Sequence, residues 1–301
     1  MSRLRVEALG GLSVAAPRGR RLPIAGSCRL ILGYLLTNRQ RRVPRLELAE
    51  TLWADHKVEQ ARRCLSTALW RLKRSTGAAA DLLAFHGADD VSFNLATLWV
   101  DSVALELRVA PLVRRKPETL TRDDLARLER GVRLYRGDYL AGMEQEWAWL
   151  ERQRLRNLYC DGLYKLVAAH ALASQWRQVL HWGRCLSGQE PLREDVHRLL
   201  MLAHANTGNR ASAIAQYRHC ERALSEDLGV APMAETRQLY RELVSKTVSR
   251  SATPQPSTAP ALDHLRRRIN RVRRVLVASQ RQLDQALDAL AAQALESSRS
   301  V

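Results

Sequence analysis

Arg62, Arg63, Arg71, Lys73 and Arg74 fall within residues 62–74, a stretch with no acidic residue. Guanidinium groups at this density serve either a solvated helix face or contact with an anion. A solvated face normally mixes signs, because oppositely charged residues three or four apart support the helix. Here that mixing is missing. On a wheel turning about 100° per residue, Ala61, Leu65, Ala68, Leu69 and Leu72 gather on one side. Arg63, Thr67, Trp70 and Arg74 fall opposite, with Arg71 flanking. A helix with one packing face and one face of guanidinium and hydroxyl groups suits the major groove of duplex DNA. There, arginine reads guanine through two hydrogen bonds. Trp70 is expected to be partly buried under a neighbouring hairpin rather than stacked on a base.

Just upstream, Arg39, Arg41, Arg42 and Arg45 form a second basic group, placed to grip phosphate beside the groove. The division of labour expected is that Arg63, Thr67, Arg71 and Arg74 read or flank bases. Arg41, Arg42 and Lys73 would mainly hold the backbone, with Arg62 completing the basic block. The charge of the chain has the same bias. Net charge is +17, and residues 1–75 carry 16 Lys/Arg against 5 Asp/Glu, whereas residues 121–247 carry 19 against 16. A localised surplus points to a polyanion, since neutralising phosphates releases counterions.

The elements that must position these residues are legible in the periodicity. Leu4 to Val14 alternates loosely and reads as one or two short strands, with another at Arg21 to Ile24. From Ser27 the period becomes helical, with Leu30, Ile31, Tyr34 and Leu35, and Thr37-Asn38 closes the segment. A short helix follows Pro44, its apolar face being Leu46, Leu48, Ala49, Leu52 and Trp53. The arginine helix runs from about Glu59 to Thr76. A turn at Gly87-Ala88-Asp89-Asp90 and a strand from Val91 to Val100 close the region. Strands, three helices and a hairpin are the order of a winged helix-turn-helix, whose second motif helix enters the groove.

From Thr121 to about Lys246 the sequence reads as helical almost throughout. A shift of 34 residues aligns Ala168 with Leu202, Ala171 with Ala205, Val179 with Ala213 and Gly183 with Tyr217. That is the tetratricopeptide period. Residues 249–261, with three prolines among Ser, Thr and Ala, form a linker. Beyond it Leu262, Leu265, Ile269, Val272, Leu276, Leu283, Ala286 and Leu290 follow a three-four alternation, interrupted at Ser279. This heptad pattern proposes a self-association seam, a helix packed back on the repeats, or a basic segment adding DNA affinity.

Other classes find little support. Scattered Asp, Glu and His are present, but no GxxxxGK[ST], HExxH or GxSxG motif organises them, so neither catalysis nor a cofactor is expected. Five unpaired-looking cysteines, without a CxxC, argue against a disulfide framework. His181, Cys185, His197, His204 and Cys220 lack the tight spacing of zinc ligands, so no metal is expected. No apolar run approaches the ~20 residues that span a bilayer. Met1-Ser2-Arg3-Leu4-Arg5 leads into alternating residues rather than a signal peptide core, and a cytoplasmic protein is expected. A helical-repeat adaptor that binds only proteins stays open beside the DNA-binding reading. Steep salt dependence of duplex binding would separate the two.

The run SCRLILGYLLTNRQRRVPRLELAETLWADHKVEQARRCLSTALWRLKRSTG resembles the DNA-binding domain of the AfsR/SARP family of bacterial transcriptional activators, itself similar to the OmpR winged helix. The family's R-L-[RK]-R motif is seen at Arg71-Leu72-Lys73-Arg74, and its Leu-Ala-Glu-x-Leu-Trp segment at Leu48 to Trp53. LYRGDYLAGMEQEWAWLERQRLRNLY and PLREDVHRLLMLAHANTGNRASAIAQYRHCERALSEDLGVAP resemble the accompanying bacterial transcriptional activation domain. The resemblance covers roughly residues 3 to 247. Phe93 stands where Tyr is common and Leu105 where Phe is usual. It implies binding to direct repeats at a promoter, contact with RNA polymerase holoenzyme, and dimerisation on double-stranded DNA in the bacterial cytoplasm.

The expected architecture is mainly α. Residues 1–108 form an α+β winged helix-turn-helix and residues 109–247 an all-α tetratricopeptide-like array. A linker occupies 248–261 and a long C-terminal helix 262–301.

Overall fold

The computed structural model describes residues 4–16, 19–24, 26–76 and 82–245. The expected linker and heptad helix lie outside the described residues. The chain forms two compact units, residues 1–114 with 122–162, and residues 115–121 with 163–301.

In the first unit β1 (Leu4–Glu7) pairs antiparallel with β2 (Ser13–Ala15) and parallel with β6 (Leu98–Val100). Val6, Val14 and Val100 stand in register across this sheet and are buried, as the alternation requires. Three helices follow β2: α1 (Ser27–Thr37), α2 (Arg45–Leu52) and α3 (Val58–Thr76). A second sheet has the order β3-β5-β4, all antiparallel, from β3 (Val43–Pro44), β4 (Leu83–His86) and β5 (Asp90–Phe93). The β4–β5 turn needs a left-handed residue, supplied by Gly87 at φ +68°.

The structure corrects three local expectations. Residues 91–100 are not one strand. The chain turns after Phe93, where the Asn94 N–H donates to the Leu82 carbonyl at 3.0 Å, and β6 then joins the other sheet. The buried positions pass from Val91 and Phe93 to Leu98 and Val100, so the alternation changes phase across residues 94–97, where the chain leaves one sheet for the other. Arg21 to Ile24 contributes only a bridge between Ala15 and Arg21. Leu46 is 41% exposed, because the eight-residue α2 buries only Leu48 and Ala49.

The first unit extends well past residue 108. It includes α4 (Asp101–Val113), α5 (Arg122–Val132) and α6 (Glu146–Leu172) as far as Gly162. Residues 133–145, expected to be helical, are an irregular connection that clasps the sheet. The Leu140 N–H donates to the Ala8 carbonyl at 2.8 Å and the Gly10 N–H to the Asp138 carbonyl at 3.1 Å. Gly137 sits against Gly10, where an added Cβ would lie 3.1 Å from the Gly10 Cα. The buried Asp101 carboxylate accepts N–H bonds from Ala8, Leu9 and Ser102, tying the end of β1 to the first turn of α4. Arg152 donates to the carbonyls of Tyr139, Leu140 and Met143 and so satisfies this connection.

The second unit continues α6 from Leu163 and adds α7 (Trp176–Gln189), α8 (Glu194–Asn206), α9 (Arg210–Leu228) and α10 (Ala234–Ser245). The 34-residue period is present in the backbone. The Gln175 N–H donates to the His170 carbonyl and the Asn209 N–H to the His204 carbonyl, both at 2.9 Å. The turns reverse through left-handed residues at Ser174 and Gly208, also 34 apart. Gly183 lets α7 approach α8: an added Cβ would meet Leu200 Cδ2 at 2.8 Å. The buried Glu194 secures α10 by accepting from the Met233 N–H and the Thr236 hydroxyl, and Arg198 donates to that same hydroxyl.

Candidate nucleic-acid interface

The arginine helix α3 is amphipathic as its spacing demands. Ala61, Leu65, Ala68, Leu69 and Leu72 are all buried. Arg62, Arg63, Ser66, Thr67, Trp70, Arg71, Lys73 and Arg74 are exposed. Burying five apolar side chains stabilises the seating of the helix by several kcal/mol at about 25 cal/mol per Å² of apolar surface. The exposed residues are then free of any packing duty. The Cys28 thiol of α1 adds a directional contact, donating to the Ala68 carbonyl at 3.4 Å. Burial pushes the Cys28 thiol pKa up, and the positive charge of Arg71 opposes that rise.

Of the sequence-predicted residues, Arg62, Arg63, Thr67, Arg71, Lys73 and Arg74 share this exposed surface. Arg62 lies 3.9 Å from Glu59, an exposed pair of little energetic weight. Trp70 is not tucked under the hairpin. It is 58% exposed, with the Arg74 guanidinium 5.2 Å from its ring centroid.

The upstream arginines divide. Arg42 is exposed in the α1–α2 connection. Arg41 is engaged by Glu47 through both terminal nitrogens, and its Nε donates to Asn38 at 3.1 Å. Glu47 also accepts from the Tyr34 hydroxyl at 2.6 Å. The Arg41 hydrogen bonds hold the Glu47 carboxyl below its ordinary range. Arg45 caps the gap between hairpin and helix. Its N–H donates to the Asp89 carbonyl at 2.7 Å, and its guanidinium to the Ala88 carbonyl and Ser66 hydroxyl at 3.3 and 3.4 Å.

Arg39 is withdrawn altogether, contrary to expectation. Its side chain is 5% exposed and contacts Glu106 of α4 at 2.6 Å and Glu151 of α6 at 2.9 Å. Arg154 closes the ring by pairing with both carboxylates, at 2.8 and 2.6 Å. Burial raises the Glu151 pKa, but its bonds to Arg154 and Arg39 outweigh that and hold it below the carboxylate range. The partners lie 67 and 112 residues from Arg39 along the chain, so no local pattern could have marked them. Nearby contacts seat α1 in the same unit. Tyr34 meets Trp147 edge-on at 5.2 Å, and the Thr37 and Tyr139 hydroxyls lie 3.1 Å apart. Gly33 leaves room for Met143, Leu140 and Trp147.

Residues 100–244 match the bacterial transcriptional activator domain family (BTAD). The chain is similar to the regulatory protein AfsR of Streptomyces coelicolor, 26% identical over 221 residues, which is 72% of this chain and 22% of that protein. It is 28% identical to AfsR of Streptomyces griseus over 87% of this chain and 27% of the relative. The transcriptional regulator RedD of Streptomyces coelicolor is 32% identical over 40% of this chain and 34% of its own length. The chain thus spans about a quarter of the length of the AfsR relatives. Among solved structures, Mycobacterium tuberculosis EmbR in complex with a low-affinity phosphopeptide superposes with TM-score 0.64 at 19% identity. That likeness covers 95% of this chain and 72% of EmbR, and it establishes a shared fold. Over residues 100–244 the chain thus matches the bacterial transcriptional activator domain, and over most of its length it is similar to the AfsR regulatory proteins.

Proposed function

We propose that the chain is a sequence-specific DNA-binding activator that lays α3 in the major groove at promoter direct repeats. The observation that carries this reading is the two-sided character of α3: five apolar residues buried, and an exposed face of arginine, lysine and hydroxyl groups that holds no carboxylate from Arg62 to Arg74. Arg63, Thr67, Arg71 and Arg74 read or flank bases. Lys73, Arg62, Arg42 and Arg41 hold the phosphate backbone, Arg41 through whatever capacity its pair with Glu47 leaves. Duplex promoter DNA, RNA polymerase holoenzyme and a second copy of the chain are the partners, and the bacterial cytoplasm is the place of action. Helix α10 turns Glu235, Arg237, Gln238, Arg241 and Ser245 outward, along with Val244 at 40% exposure. The three-four pattern of Leu262–Leu290, which lies outside the described residues, is the sequence feature that supports a second copy as partner.

The test is duplex binding by the full chain across a salt series. Log affinity should fall linearly with log salt, with a slope near −0.9 for each phosphate neutralised. Absence of duplex binding at low salt overturns the proposal and leaves a protein-binding adaptor.

A further inference from the structure

Among the described residues from Glu59 to Arg74, Trp70 is the one exposed large apolar side chain on α3. It stands three residues after Thr67 and four before Arg74, in the middle of the stripe that also carries Arg63. At 58% exposure it contributes little to the core, so most of its indole is accessible to a ligand on the arginine face. Its ring is also held. The Arg74 guanidinium lies 5.2 Å from the ring centroid, within the range of cation–π attraction, and restricts rotation of the indole.

We propose that Trp70 is a specificity-determining residue whose indole packs on the 5-methyl group of one thymine in the major groove. The inference rests on the duplex-binding reading and names the group that one side chain recognises. In an intact duplex the base faces are covered by their neighbours, and with Arg74 over the ring the indole is poorly placed to stack. What the major groove offers to an apolar surface is the thymine methyl, absent from the other three bases. Thr67 and Arg63 then read hydrogen-bonding edges about one and two helical turns from an apolar contact, and Arg74 orients the ring that makes it.

The experiment starts from duplexes retained by the full chain out of a random-sequence pool. Each thymine in the retained sequence is replaced in turn by deoxyuridine, which removes the methyl group and leaves every hydrogen-bonding atom. Affinities are measured for the wild-type chain and for W70A, with W70Q as a second variant and circular dichroism to check that both remain folded. The expected result is one thymine whose demethylation weakens wild-type binding on the order of fourfold, the worth of one buried methyl group. Neither variant should respond at that position, while both keep the wild-type salt slope. Demethylation that affects wild type and both variants equally, or affects none, overturns the Trp70 contact and leaves duplex binding standing. No retained duplex at all overturns both readings.

Discussion

The connection between α1 and α2 and the exposed face of α3 are equally rich in arginine, yet tertiary structure treats them in opposite ways. In the connection, Arg39 is enclosed by Glu106 and Glu151, and Arg41 is held by Glu47. On α3, the exposed Glu59 lies beside Arg62 at the start of the block. Charge density therefore measures electrostatic potential at a distance, while availability for a ligand depends on which carboxylates the fold brings alongside. Arg39 acts as a strut inside the first unit, whereas Arg63 and Arg71 stay exposed.

Replacing both Arg63 and Arg71 by alanine gives the largest effect. Duplex affinity should fall by about 2–4 kcal/mol in low salt, since a side chain reading a base edge is worth about 1–3 kcal/mol. The unfolding free energy from urea titration should stay within about 0.5 kcal/mol of wild type, as for other surface changes. Unchanged affinity would break the comparison at its α3 end. R39A should do the reverse. Removing one partner of a buried pair strands the others, and a loss of about 2–4 kcal/mol of stability is expected by urea unfolding, moderated because Arg154 stays beside both carboxylates. A stable R39A chain with weakened DNA binding would show that Arg39 is a phosphate contact after all.

Acid sharpens the same contrast. Glu151 is held below its ordinary value of 4.5 in the folded chain, so its pairing contributes full stability above that value. The contribution is lost as pH falls through the depressed value. Wild type should therefore lose more stability than E151Q between neutral pH and the acid range, measured by urea unfolding at each pH. Equal losses would place the acid sensitivity elsewhere. The smallest effect separates neighbours. R42A should reduce the salt slope of duplex binding by about 0.9, one phosphate contact, and R41A by less, because Glu47 already occupies its guanidinium. Equal slope changes would mean that DNA displaces Glu47.

Periodicity alone located α1 and α3 and assigned the buried face of α3 residue by residue, because a helix repeats its faces every few positions whatever surrounds it. The 34-residue shift likewise anticipated the matched turns at Ser174 and Gly208. Long-range pairings were not legible. The shift from buried Val91 and Phe93 to buried Leu98 and Val100 marks a break in the strand but not the change of sheet, since each strand's pattern records which face is buried and not which strand is its neighbour. Trp70 shows the same limit, for its position on the wheel was clear but the distance to the hairpin was not.

The face that α3 presents, with Arg63, Thr67, Trp70, Arg71 and Arg74, was thus determined by sequence, since it depends only on residues within one helix. Which of the other arginines remain available was decided by the tertiary structure. Arg39 meets Glu106 and Glu151 only because α4, residues 133–145 and the first half of α6 fold back into the same unit. Pairing of a charge is a property of three-dimensional neighbours, and local spacing records none that lie 67 and 112 residues away.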